Sequence, residues 1–254
     1  MELETYHYII AVLGGYLAGV MNTLAGYGSI ITLTILMDVL GLPGNIANAT
    51  NRVNILSNTV AGSFGFYKNK KLDLSGSKWL ITFVFLGAIL GVAMAVTVSA
   101  DQFKSIFKYL LLVIFIAVLI NPKKWIHDHK EHRNLPIWKT ALIYLPLGFY
   151  GGFIQMGMGI VFLSLAVLVS HYTMIKANAL KLFVILSYTI MSIAIFQYNG
   201  LINWKLGAII AIGQAVGGYT TAIYASKIKN ANLYAYRILV FIVIIVILRT
   251  FGVF

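Results

Sequence analysis

Residues 5–37 read TYHYIIAVLGGYLAGVMNTLAGYGSIITLTILM, and residues 140–175 read TALIYLPLGFYGGFIQMGMGIVFLSLAVLVSHYTMI. Neither stretch contains Asp, Glu, Lys or Arg. As continuous helix each would reach roughly 50 Å, too long for one crossing of a hydrocarbon core of about 30 Å and too short for two. Glycines fall near the middle of both: Gly26-Tyr27-Gly28 in the first and Gly157-Met158-Gly159 in the second. The economical reading is a broken helix or re-entrant hairpin with its glycine tip near mid-membrane. Irregular backbone survives at that depth only when protein or a water-filled cavity surrounds it.

The rest of the chain supports a membrane reading. Of 254 residues, 60% are hydrophobic and 10% charged, against about 45–50% and 25% in soluble domains. So apolar a chain, with four Pro, is not disordered. The absence of Cys removes disulfides, thiolate metal sites and Cys nucleophiles. No alternating ten-residue pattern suggests a barrel, so the expected class is an all-α polytopic bundle. Spans are expected at 45–67, 79–99, 104–121, 176–198, 204–225 and 231–252. Together with hairpins at 5–41 and 140–170 they make about eight segments.

Charge placement gives the orientation. Twelve of the nineteen Lys and Arg fall in three short loops, at 68–78, 123–139 and 227–237, which is the positive-inside pattern. With both glycine stretches as hairpins, thirteen Lys/Arg face the cytoplasm and four the outside. As single spans they would split eleven to six. The hairpin arrangement places both termini outside and residues 123–139 in the cytoplasm. The net charge of +12 therefore reflects topology, and nothing resembles a nucleic-acid module. Met1-Glu2-Leu3-Glu4 lacks the basic start of a cleaved signal peptide. His127-Asp128-His129 with His132 reads as a solvated linker, and no metal or cofactor is expected.

The two halves, 1–122 and 140–254, look alike. Gly15 and Gly19 followed by Asn22 match Gly148 and Gly152 followed by Gln155. Gly26 and Gly28 then fall on Gly157 and Gly159, Asn48 on Asn178, and Gly87 and Gly91 on Gly213 and Gly217. A hairpin plus three spans in each half would invert the second repeat relative to the first. In secondary transporters built that way, discontinuous helices meet a substrate at the midplane. The Gly87/Gly91 and Gly213/Gly217 pairs read as close helix packing.

Deep polar residues are few and costly, hence candidates for function. Arg52 lies about two turns into its helix and shares a face with Asn48. Lys181 lies similarly placed, with Asn178 three residues before it. No Asp or Glu lies deep in any span. Two cations, several carboxamides and helix N-termini without a carboxylate favour an anion. The candidate site is Asn22, Thr23, Gly26, Gly28, Ser29, Asn48, Asn51 and Arg52 from the first half. Gln155, Gly157, Gly159, Asn178 and Lys181 complete it from the second. The bland alternative is that both cations snorkel to the interface. Gln214 faces either a neighbouring helix or the cavity.

Gly15 to Gly19 with Asn22-Thr23-Leu24-Ala25-Gly26-Tyr27-Gly28-Ser29, and Ala47-Asn48-Ala49-Thr50-Asn51-Arg52-Val53, resemble the first signature of the sulfite exporter TauE/SafE family. Gly148 to Phe153, Ala177-Asn178-Ala179-Leu180-Lys181 and Gly213 to Tyr219 resemble its second. Two positions depart from the pattern: Tyr27 where the family often has Gly, and Gly44 after Pro43 where a second Pro is common. The resemblance implies a bacterial inner-membrane permease of about eight helices for sulfite, sulfoacetate or other organosulfonates. Its partners would be the small anion, the lipid bilayer, H⁺ or Na⁺ as a coupling ion, and a second copy in a homo-oligomer. A passive anion channel and a carrier for another small organic anion stand as alternatives; an enzyme or a purely structural subunit fits the residues poorly.

Overall fold

The computed structural model describes residues 3–120 and 135–224, and beyond them 237, 240, 241 and 243–248. The histidine loop and most of the span expected at 231–252 lie outside the described residues. Among the described residues every regular element is helical. In chain order these are α1 (Thr5–Ala25), α2 (Gly28–Thr34) continued by a π-helical turn (Ile35–Val39), α3 (Gly44–Lys68), α4 (Lys78–Ala95) and α5 (Ala100–Ile120). Then follow α6 (Ile137–Phe153), α7 (Met158–Leu168), α8 (Met174–Tyr198) and α9 (Trp204–Tyr224).

Both charge-free stretches fold as helical hairpins. The chain reverses at Gly26, whose φ of 79° and backbone N–H to the carbonyls of Met21 and Asn22 close α1 with a left-handed cap. The return arm runs back along α1. A Cβ on Gly28 would lie 2.2 Å from the Ala18 carbonyl oxygen, and one on Gly14 would meet Ile35. In the second hairpin Gly157 takes φ 71° and starts α7. Tyr144 on α6 then meets Phe162 and, 2.8 Å away, the Ser170 hydroxyl.

Two glycine seams fix these hairpins to the bundle. On α4, a Cβ on Gly87 or Gly91 would lie 2.0 Å from the carbonyl oxygens of Leu145 and Phe149 on α6. Gly148 and Gly152 approach Val84 and Ala88 equally closely in return. On α9, Gly213 and Gly217 abut the carbonyls of Val12 and Tyr16 on α1, while Gly15 and Gly19 abut Ile210 and Gln214. Each contact in one seam has its counterpart in the other at the positions the internal alignment pairs. The glycine pairs are thus packing surfaces that let backbones touch. Gln214 lies at the α1 seam with its side chain fully buried and unpartnered.

The exterior is apolar. Leu142, Ile212, Val113 and Phe64 are each more than half exposed, and Trp79, Trp138 and Trp204 sit exposed at helix starts, as an interfacial belt requires. Among the described residues four helices, α1, α4, α8 and α9, are long and apolar enough to cross a membrane. The 25-residue α3 is equally long, but buried carboxamides replace its apolar face.

Gly91→Ala is expected to force α4 from α6, because its Cβ would overlap main chain and not a flexible side chain. Overpacking of this kind costs about 1–3 kcal/mol. Thermal unfolding in detergent should register that loss, while Leu90→Ala, which trims a 56% exposed neighbour, should leave the midpoint nearly unchanged.

At the loop side, Ser77 and Tyr172 hydroxyls lie 2.9 Å apart and Lys176 Nζ reaches Asp73 Oδ2 at 2.6 Å. These tie the α3–α4 loop to the start of α8. The bond from Lys176, with help from Ser75, holds the Asp73 carboxyl well below the usual carboxylate range. A depressed carboxyl stabilises the fold above its unfolded pKa, and the benefit fades as pH falls through the carboxylate range. Asp73 is 54% exposed, so the pair is worth at most about 1 kcal/mol. Asp73→Asn should therefore lower the unfolding midpoint slightly at pH 7, and the difference should shrink at acid pH and in high salt.

Candidate functional site

A hairpin that ends inside the bundle leaves the last four carbonyls of its first helix without intrahelical donors. In α6 all four are accounted for. The Tyr150 carbonyl accepts from the backbone N–H of Ile154. Arg52 Nη1 donates to Gly151 at 2.8 Å and Nη2 to Gly152 at 2.7 Å. Asn48 Nδ2 donates to Phe153 at 3.0 Å. Arg52 and Asn48 lie one turn apart on α3, so the face they share is the one that meets the α6 end.

Lys181, from α8, serves α1 in the same way. Its Nζ donates to the carbonyls of Asn22 at 2.9 Å and Thr23 at 3.2 Å, and to Asn178 Oδ1 at 2.9 Å. Each cation caps a hairpin of the opposite half. Both are 0% exposed, so neither snorkels. Helix C-termini carry about half a negative charge, which accounts for cations at these two places. Sequence reading assigned both cations to a ligand. The geometry instead commits all three Lys181 protons to protein oxygens, because the broken ends need donors before any ligand does.

Arg52 retains capacity. Its Nε has no hydrogen-bond partner, Phe196 lies 5.6 Å beneath the guanidinium, and Nη1 also donates to Gln155 Oε1 at 2.7 Å. Gln155 takes a left-handed φ of 65°, uncommon for a residue with a side chain. Tyr188 on α8 donates a second bond to the same Oε1, at 2.7 Å. In the first hairpin, Asn22 Nδ2 donates to Asn58 Oδ1 at 2.9 Å. Asn58 Nδ2 in turn reaches the carbonyls of Gly19 and Gln214 and, at 3.4 Å, Thr23 Oγ1.

Between these clusters Asn51 Oδ1 accepts from Thr32 on α2 at 2.6 Å. The Asn51 Nδ2, Asn48 Oδ1 and Asn54 Oδ1 atoms lie buried without partners. Gly28 and Ser29 open α2, and Met158 and Gly159 open α7. The Met158 amide is taken by the Gln155 carbonyl at 3.2 Å; the amides of Gly28, Ser29 and Gly159 have no preceding turn to bond. The tips themselves meet: a Cβ on Gly26 would lie 2.4 Å from Gly159 Cα. All thirteen residues taken from the sequence fall in or beside this polar centre, and every one is buried. An apolar cleft of about 510 Å³ between α5 and the second hairpin includes none of them.

Asn58, Tyr188 and Thr32 were missed by sequence reading. The signal for Asn58 was present: it is the fourth Asn in residues 48–58, two turns beyond Asn51 on the same face. Tyr188 occupies the place of Asn58 in the internal alignment, which no residue-type argument would have singled out.

A helical bundle with two broken hairpins, apolar outside and polar at its sealed centre, has the architecture of a membrane transporter. The sequence profile of the sulfite exporter TauE/SafE family matches residues 11–250, and the chain belongs to that family. A "Probable membrane transporter protein" of Haemophilus influenzae is 28% identical over 204 residues, covering 80% of this chain and 79% of the relative. "Probable membrane transporter protein YfcA" of Escherichia coli K12 is 28% identical over 201 residues, 79% and 74%. "Probable membrane transporter protein ORF9" of a Sinorhizobium species is 25% identical over 219 residues, 86% and 82%. No solved structure matches.

If Arg52 and Lys181 cap broken helices, their loss must show without any ligand. Arg52→Met and Lys181→Met should each destabilise the ligand-free protein by about 3 kcal/mol or more, since each uncovers buried carbonyls that charged donors satisfied. Thermal unfolding in anion-poor buffer reads this directly. Unchanged midpoints would remove the capping role.

Proposed function

We propose that the chain is a secondary permease for a small sulfur-containing anion such as sulfite, sulfoacetate or another organosulfonate. It binds the anion at a midplane site between the hairpin tips and moves it by alternating access. The observation that carries the anion reading is the set of buried donors without partners, Arg52 Nε and Asn51 Nδ2, beside two buried cations. Among the described residues every Asp and Glu is exposed. A centre of that composition repels cations and attracts oxyanions. The Arg fork suits sulfonate or sulfite oxygens, Gln155 and the amides of Gly28, Ser29 and Gly159 add donors, and Lys181 contributes its field and not a direct bond.

The inverted-repeat plan, two hairpins each followed by three spans with both termini outside, draws support from the two matched glycine seams and from the charge bias of the loops. It would bring the hairpin tips to the centre from opposite sides of the bacterial inner membrane. The burial of every site residue favours a carrier, which occludes its substrate, over a channel with a standing path. With no deep carboxylate, a coupling H⁺ travels on the substrate; a coupling Na⁺ would need main-chain oxygens.

The test is thermal shift of the purified protein against sulfite, sulfoacetate, taurine, sulfate, acetate and phosphate. A ligand at 100 times its Kd stabilises by about 2.7 kcal/mol. Gln155→Glu keeps an acceptor for Arg52 and Tyr188 but loses the amide donor and adds negative charge, so it should abolish the shift without unfolding the protein. No shift with any sulfur oxyanion, or one indifferent to Gln155→Glu, would sink the reading.

A further inference from the structure

Asn22 and Gln155 hold matching positions at the two hairpin tips, and their partners Asn58 and Tyr188 match each other under the same alignment that pairs Asn48 with Asn178. The partners, however, bond in opposite senses. Asn58 must turn its nitrogen toward the Gly19 and Gln214 carbonyls, at 3.1 and 3.3 Å. Its oxygen is then left for Asn22, which is therefore bound through its own nitrogen. Gln155 faces two donors, Arg52 Nη1 and the Tyr188 hydroxyl, each 2.7 Å from one atom. That atom has to be its oxygen. Carboxamide orientation is assigned from such partners, and here main-chain oxygens and a guanidinium leave no choice.

The free ends consequently differ: Asn22 offers an oxygen, Gln155 an NH₂, and neither has a protein partner. Asn22 and Gln155 retain 4% and 3% of their surface, so an occupant of the centre would meet an acceptor at one tip and a donor at the other. We propose that Asn58 and Tyr188 set this polarity and that it determines specificity: the site prefers an oxyanion that also carries a neutral hydroxyl over one with anionic oxygens alone. The oxyanion takes the Gln155 amide and Arg52, and the hydroxyl donates to Asn22 Oδ1. An ammonium suits that place badly, because Lys181 Nζ lies 2.9 Å from the Asn22 carbonyl and like charges repel. The inference rests on the anion reading above.

Three two-carbon sulfonates separate the possibilities: 2-hydroxyethanesulfonate, ethanesulfonate, which lacks the hydroxyl, and 2-aminoethanesulfonate, each titrated calorimetrically into the detergent-purified full chain. The hydroxyl compound should bind about tenfold or more tighter than the methyl compound, since a buried acceptor left unpaired is penalised, and the ammonium compound should not exceed the methyl one. Asn22→Ala should bring the hydroxyl-to-methyl ratio near one. Asn58→Ala should do the same with Asn22 intact, a result that general destabilisation does not produce. Tyr188→Phe should weaken both compounds equally. Equal binding of all three sulfonates by the unmodified protein, or a ratio unmoved by Asn22→Ala, overturns this proposal and leaves the anion reading standing. Binding of none of them, nor of sulfite, overturns both.

Discussion

A helix that stops inside a packed bundle presents carbonyl oxygens where water cannot reach them, and each orphan costs several kcal/mol. Arg52 and Lys181 resolve that problem for α6 and α1. The rest of the structure follows from where those donors have to stand. α3 must bring Arg52 and Asn48 to the end of α6, and α8 must bring Lys181 to the end of α1. The two cation-bearing helices therefore occupy the centre, packed on each other, with Gly62 of α3 against Leu182 of α8.

The glycine seams complete the same logic from the outer side. α9 grips α1 and α4 grips α6 with backbone against backbone, leaving no room for a single methyl group. Each hairpin is thus held on one flank by a seam and at its tip by a cation. For α1 both come from the second half of the chain, for α6 both from the first. Lipid supplies no hydrophobic drive to join the halves; close packing and charge-assisted bonds join them instead. The tips then meet with Gly26 against Gly159, where any side chain would hold them apart.

Much of this was legible in the sequence. Helical class, the two glycine breaks and the candidate cations follow from apolar length, interrupting glycines and the rarity of charge, because the bilayer penalises polar exceptions. The role of the cations was not legible. Sequence position puts Arg52 and Lys181 two turns into apolar helices and leaves snorkelling open; that they are buried, and whether they face a ligand or a helix end, depends on which carbonyls a hairpin leaves bare, and that is tertiary. Gln155 shows the same limit. Its alignment with Asn22 was visible, but its left-handed backbone and the two donors on its oxygen come from α3 and α8 converging on one turn. Tyr188 reads as an ordinary core aromatic until that turn is placed beside it.

The capping arrangement also bears on the charge of the occupant. Two buried cations bring about two positive charges into the centre, while the two helix ends they cap return roughly half a negative charge each. No carboxylate among the described buried residues makes up the difference. The N-terminal ends of α2 and α7, which carry partial positive charge, add to it, so net positive charge is left in a low-dielectric interior, where it is costly unless something neutralises it. An oxyanion neutralises that centre. An oxyanion that also keeps a neutral hydroxyl satisfies both the net positive charge and the acceptor that Asn22 presents, so electrostatics and hydrogen-bond polarity converge on one ligand chemistry from different residues.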